Sequence, residues 1–207
     1  MQFYLTTSLL DPNGNEVLHQ PMSLVSASAD KSILVWNPDL HSESWIPKHR
    51  VGEVGGTTLG FYGGAFSTDG QTLFSNGYNG AIHIWTLNNE QGLWEPSLSL
   101  TGHSKAVQDC AWDPTGSYLL STSLDQTSRI FAPWARNENT WHEISRSQIH
   151  GYNLHCCSFF GKYGYVSGAD EKVIRVFEAP KNFAKTLENI TGVKESAQVL
   201  VFFLPIL

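Results

Sequence analysis

The chain has 207 residues, 41% of them hydrophobic and 12% aromatic, which is ample material for one packed body. Only 15% are charged and 18 are glycines, a balance that favours a turn-rich β protein over a helical one. A net charge of −6 at pH 7, with no local cluster of lysine and arginine, excludes the basic footprint expected of a nucleic-acid-binding surface. Cys110, Cys156 and Cys157 make no even disulfide framework and read as free thiols of an intracellular chain, with the cytoplasm as the expected compartment and the nucleus as a second one. The start at Met1 lacks a basic, then apolar, leader. The apolar run 199–207 is far shorter than the ~18 residues of a membrane span, so no membrane association is expected.

In chain order, Asp11-Pro12-Asn13-Gly14 predicts a turn in a strand-poor lead-in. Residues 24–28 and 32–36 then form a hairpin turned at Asp30-Lys31, with an outer strand over 45–54 and a glycine-rich crossing at 52–56. That glycine cluster fits neither the dinucleotide nor the phosphate-loop spacing and reads as a turn. Strands follow at 59–66, 72–75 and 81–85, with Asn79-Gly80 as a hairpin turn and an outer strand at 93–100. Residues 102–131 open with Gly102-His103 and give three strands separated by Asp113-Pro114 and Asp125. A polar tip at 136–139 leads to an outer strand at 141–149. His150-Gly151 then precedes strands at 154–160, 163–167 and 173–177. Residues 181–187 are compatible with either a helical turn or an outer strand. Asn189-Ile190-Thr191 matches the glycosylation acceptor pattern, but without a secretory leader it reads as chance.

These segments repeat. An aromatic closes the third strand at Trp36, Trp85, Phe131 and Phe177, at intervals of 49, 46 and 46 residues. Six residues earlier stand Asp30, Asn79, Asp125 and Glu171, and before those the triplets SAS, SNG, STS and SGA. One such unit cannot bury its own apolar face and has to stack on copies of itself. A period of ~40–45 residues with four strands per unit is the signature of a β-propeller blade. The fold class expected is all-β, about four blades of an incomplete propeller. The blades fall at 1–44, 45–93, 94–140 and 141–193, with a divergent apolar tail at 194–207.

Catalytic and metal chemistry have to be weighed against that architecture. His103, Ser123 and Asp125 are the residue types of a hydrolase triad. No nucleophile elbow occurs, however, and the serine sits inside a strand, so a structural network is favoured. His150, His155, Cys156 and Cys157 are possible zinc ligands, but adjacent cysteines point to opposite faces of a strand and no Cys-x-x-Cys spacing exists. His142-Glu143 lacks the second histidine of a zincin helix. The expectation is a non-enzyme without a metal, cofactor or small-molecule substrate. A second function class, a reader of RNA or of a modified peptide, would use Trp134, Trp141 and Tyr152 as exposed stacking platforms.

The repeat resembles the WD-repeat family, in which a histidine, a strand serine or threonine, a turn aspartate and a tryptophan form a hydrogen-bonded tetrad in each blade. By position the resemblance implies His103, Ser123 and Asp125 in the third blade, with Phe131 in place of the tryptophan. In the first blade it implies Ser28, Asp30 and Trp36, without the histidine. More specific words, among them RVGEVGGTTLGFYGGAF, GHSKAVQDCAWDPTGSYLLSTSLDQTSRIFAPW and TWHEISRSQIHGYNLHC, resemble the WD-repeat subunits of the Elongator complex over roughly residues 23–192. That resemblance implies a scaffold subunit with other Elongator subunits as partners, supporting wobble-uridine modification and meeting transfer RNA only indirectly. Members of that family carry two seven-bladed propellers, so a chain of about four blades is expected to be a fragment or a truncated form.

Overall fold

Short alternating runs stopped by Asp, Asn and Gly fold as successive antiparallel sheets in a computed structural model, which describes residues 2–3, 7–10, 16–19, 22–39, 41–52 and 59–192. The turn expected at 11–14, most of the glycine crossing and the tail 194–207 lie outside the described residues. The chain begins with β1 (Gln2–Phe3) and a small hairpin of β2 (Thr7–Leu10) and β3 (Glu16–His19). β4 (Met22–Ala27), β5 (Ile33–Asp39) and β6 (Ser44–Val51) follow and, with β1, make the first sheet in the order β1-β4-β5-β6. The second sheet is β7 (Phe61–Phe66), β8 (Thr72–Gly77), β9 (Ile82–Asn88) and β10 (Leu93–Pro96). The third is β11 (Val107–Trp112), β12 (Leu119–Ser123), β13 (Thr127–Trp134) and the long β14 (Asn137–Ile149). The fourth has β15 (Leu154–Gly161), β16 (Gly164–Ala169) and β17 (Ile174–Glu178), after which the chain enters α1 (Lys181–Thr191).

The register shows why the four sheets are repeats of one unit. Val25 pairs with Val35, Phe74 with Ile84, Leu120 with Ile130 and Val166 with Val176. The first three pairs sit on the face that their sheet turns toward the next one, and Val166 with Val176 holds the same position on the outward face of the fourth. The alternate positions, Leu73 with Trp85, Leu119 with Phe131 and Tyr165 with Phe177, face the sheet before. Three apolar cores result, one per junction. Val35 and Ile33 meet Phe61, Leu73 and Trp85; Phe74 and Ile84 meet Val107, Leu119 and Phe131; Leu120 and Ile130 meet Tyr165. Each fully buried leucine or phenylalanine contributes ~1.5–3 kcal/mol. The first strand of each later sheet, β7, β11 or β15, carries the main contacts to the sheet before it, as the stacking of propeller blades requires.

Two features correct the sequence reading. The outer strands β6, β10 and β14 pair with the strand just before them, so the boundaries expected at 44/45, 93/94 and 140/141 each cut through an outer strand. An outer strand finds its partner through its own hairpin, and the periodic aromatics mark only the third strand. Residues 181–187, compatible in sequence with a helical turn or an outer strand, belong to α1. Pro180 precedes the helix and Gly192 ends it at φ 70°, with its N–H donating to the Glu188 carbonyl. Leu187 of α1 is buried against the third sheet, and the ring of Phe183 stands edge-on to Tyr118 at 5.9 Å.

Candidate interaction site

The third sheet holds the most complete polar network. Asp125 sits in the β12–β13 turn, whose next residue, Gln126, takes a left-handed φ of 71°. Its carboxylate accepts hydrogen bonds from the backbone N–H groups of Ser104 (3.0 Å) and Thr127 (3.0 Å), from the Thr127 hydroxyl (2.7 Å) and from the His103 ring at Nδ1 (2.9 Å). Burial pushes the Asp125 pKa up, but the Thr127 and His103 hydrogen bonds outweigh it and hold the group at about 2. Burial lowers the His103 pKa against the pull of Asp125, so the imidazole is neutral at pH 7. With an ionised Asp125, Nδ1 is the donor. Nε2 then accepts the Ser121 hydroxyl at 2.8 Å. Gly102, at φ 144°, lets the loop approach Arg129, whose Nη1 lies 2.5 Å from where a Cβ would stand. Arg129 in turn donates to Glu143 at 2.6 Å.

The serine that bonds the histidine is Ser121, which corrects the assignment of Ser123. Ser123 instead donates to the Lys105 carbonyl and accepts from the Asp125 N–H. Both serines share a face of β12, and the extra step toward the turn takes Ser123 past the imidazole. The first sheet shows the same shift: the Trp36 indole N–H donates to Ser26 at 2.9 Å, whereas the Ser28 hydroxyl accepts the Asp30 N–H of its own turn. Asp30 is spent on the N–H and hydroxyl of Ser32. A sequence signal was available, because the first serine of the triplets recurs as Ser26, Ser75, Ser121 and Ser167, while the third position varies. The fourth sheet rebuilds the network from other residues, with His150 on Glu171 at 2.9 Å and Ser167 donating to Gln148 at 2.8 Å.

Asp125, His103 and Ser121 line up as a hydrolase triad would. Ser121 is, however, fully buried between strands, with no face open to a substrate carbonyl. The four residues weighed as zinc ligands do not converge: His150 bonds Glu171, His155 bonds Asp170, and Cys156 is exposed while burial pushes the Cys157 thiol pKa up.

The aromatics expected to form a stacking surface are separated. Trp141 is partly buried, packed edge-on against Phe74 at 5.3 Å and Trp112 at 5.5 Å at the core between the second and third sheets. Trp134 and Tyr152 are exposed, at 41% and 54%. Trp134 stands at the β13–β14 hairpin, and Tyr152 follows the opposite end of β14, so roughly 25 Å of strand lies between them at ~3.3 Å per residue.

Sequence reasoning also missed a bulge that recurs on the first strand of three sheets. The register slips at Tyr62, Gln108 and His155. Two of these residues meet the β-turn of their own sheet directly, Tyr62 stacking on Tyr78 at 3.8 Å and His155 bonding Asp170 at 2.8 Å. Extra residues of this kind re-aim side chains out of the ladder, and they carry no composition signal of their own.

Repeated antiparallel sheets stacked face to face, with a His–Asp–Ser network inside one of them, define an all-β fold of propeller-type blades, an incomplete β-propeller that carries a WD40 repeat. The family model for the WD domain, G-beta repeat, matches residues 94–131. Over 84% of its length the chain is similar to Elongator complex protein 2, with 49% identity to the Rattus norvegicus protein, 48% over 85% for Homo sapiens and 38% over 84% for Saccharomyces cerevisiae. The chain spans only 22%, 22% and 24% of the lengths of those relatives.

Proposed function

We propose that the chain acts as a non-catalytic scaffold segment in an Elongator-type assembly, where it binds other subunits and supports wobble-uridine modification without touching transfer RNA directly. The observation that carries this reading is the similarity to Elongator complex protein 2 across four fifths of the chain. Burial of the one triad-like serine favours a structural role over hydrolysis. The net charge of −6 favours protein over nucleic-acid partners. The expected compartment is the cytoplasm, with the nucleus as a second. A reader built on Trp134, Trp141 and Tyr152 is disfavoured, because Trp141 is packed against a core and the other two stand at opposite ends of a sheet.

The test is a chimaera. In cells lacking their own Elongator complex protein 2, the matching segment of that protein is replaced by residues 23–192 of this chain. Co-purification of the remaining Elongator subunits and return of C5-modified wobble uridine are expected. A chimaera that folds, judged by its melting, yet recovers no subunit would overturn the reading.

A further inference from the structure

Three of the four sheets carry an outer-strand tryptophan at one register. Trp45 stands opposite Pro38, Trp94 opposite Leu87 and Trp141 opposite Pro133. Each partner lies two residues beyond the aromatic that closes the third strand, Trp36, Trp85 or Phe131. Where a sheet precedes its own, that tryptophan is partly buried against the junction core: Trp94 meets Phe66 at 5.8 Å, and Trp141 meets Trp112 at 5.5 Å. The residues that follow them, Glu95 and His142, are exposed, so the indole is what the outer strand contributes to the core. Phe66 and Trp112 stand opposite Leu73 and Leu119, and the fourth sheet repeats that pair as Phe159 opposite Tyr165. The residue two beyond Phe177 is Ala179, whose N–H donates to the Tyr163 carbonyl at 2.8 Å and so continues the ladder of β16 and β17. No strand among the described residues stands opposite it, because β17 is the edge of a three-stranded sheet. There, between the third and fourth sheets, lies a cavity of about 250 Å³ whose walls include Tyr118, Ile130, Phe159, Tyr165, Phe177 and Ala179.

We propose that the edge of β17 receives an extended segment of a partner protein as a fourth strand, with a tryptophan of that segment seated in this cavity. Main-chain pairing along the edge supplies affinity, and the cavity supplies the choice of side chain. An apolar cavity of ~150 Å³ holds a benzene ring, so the larger space here has room for a two-ring indole. Tyr165 and Phe177 stack at 4.8 Å to make one wall, and Phe159 takes the place that Phe66 and Trp112 hold against the other tryptophans. Phe177 is only half-buried, whereas its counterparts Trp85 and Phe131 are 4% and 2% exposed, as expected where the covering ring is absent. Ser145, also on the wall, offers a hydroxyl to an indole N–H. The edge is not blunted: β17 reads IRVFE, without the proline and lysine that β6 presents as Pro47 and Lys48. Helix α1 does not take the strand's place, since it turns back onto the third sheet, where Leu187 is buried and the Ala135 N–H donates to the Ile190 carbonyl at 2.7 Å. The inference deepens the scaffold reading, on which it rests for calling the occupant a partner protein, but its test uses peptides alone, so the two can fail separately.

Fluorescence anisotropy decides it, with the purified chain titrated into labelled peptides that copy its own outer strands, QGLWEPSL (residues 91–98) and NTWHEISR (residues 139–146), and into their Trp94→Ala and Trp141→Ala analogues. At least one tryptophan peptide is expected to bind one per chain and at least tenfold tighter than its alanine analogue. Ala179→Phe, which fills the cavity from β17, is expected to lose that tenfold while melting at or above the parent's temperature. Tyr152→Leu, beyond the far end of β14, is expected to bind as the parent does. Should Ala179→Phe fail to fold, the comparison of tryptophan and alanine peptides still decides. Equal binding of tryptophan and alanine peptides, no binding of either tryptophan peptide, which is the result if a second copy of the chain fills the slot, or full binding by a folded Ala179→Phe overturns the proposal.

Discussion

The junction between the second and third sheets and the outward face of the fourth are built from the same positions, yet they are physically opposite. Ile84, facing the third sheet, is 4% exposed, and Ile130, facing the fourth, is 5% exposed. Their counterpart Val176 is 58% exposed and its neighbour Ile174 is 74%. Phe160, folded over Gly164, and the exposed Cys156 belong to the same sheet. The side chains are thus selected for burial by the repeat, and whether they are buried depends on a following sheet. Among the described residues nothing covers this face. Contiguous apolar patches of a few hundred Å² are partner sites or aggregation liabilities.

The largest effect expected from that comparison is at Leu120. It is fully buried opposite Ile130, and Leu120→Ala should cost ~2–5 kcal/mol. Its counterpart on the open face behaves differently: Val176→Ala should change stability by no more than about 0.5 kcal/mol. Chemical denaturation of the two variants side by side measures the difference. Equal losses would mean that the fourth sheet is covered in solution.

Next in size is Asp125→Ala, which leaves the Ser104 and Thr127 donors and the His103 ring without their acceptor and should cost ~1–3 kcal/mol. A melting temperature equal to the parent's would remove the network from the account. The same pair makes stability pH-dependent, with both members acting in one direction. The Asp125 pKa is lower folded than unfolded, so its contribution is present above about pH 4 and is lost as pH falls toward about 2. The His103 pKa is also lower folded than unfolded, so stability begins to fall once pH drops below about 6.5, where the unfolded imidazole takes up a proton. Melting followed from pH 8 to pH 3 should fall monotonically, and Asp125→Ala should flatten the part below pH 4. A smaller loss, about 0.5–1.5 kcal/mol, is expected for Trp36→Phe, which removes one indole hydrogen bond to Ser26. Ser28→Ala should cost less than Ser26→Ala, contrary to the position implied by the family resemblance.

The blade repeat was legible because Trp36, Trp85, Phe131 and Phe177 occupy a position that must be large and apolar in every copy. Turn residues announce themselves equally well, since Asp30, Asn79 and Asp125 each precede a left-handed residue, Lys31, Gly80 or Gln126. The choice between Ser121 and Ser123 was not legible from alternation, which puts both on one face; the signal lay in the recurrence of the first serine of each triplet, and the loop carrying His103 is what realises it. Helix α1 escaped because its signal is brief, with one buried leucine and no capping side chain at Pro180. The bond from the Cys157 N–H to Asp109 joins residues 48 apart on neighbouring sheets, a contact that no local pattern encodes.

The outward face of the fourth sheet is a junction face with no cover among the described residues. Size-exclusion chromatography of the chain beside its Ile174→Lys, Val176→Lys double variant tests it most directly, with thermal melting of both. Concentration-dependent association of the parent is expected, and a variant that runs as a monomer and melts at or above the parent's temperature. A parent that is a monodisperse monomer of 23.0 kDa with cooperative melting, indistinguishable from the variant, would contradict it.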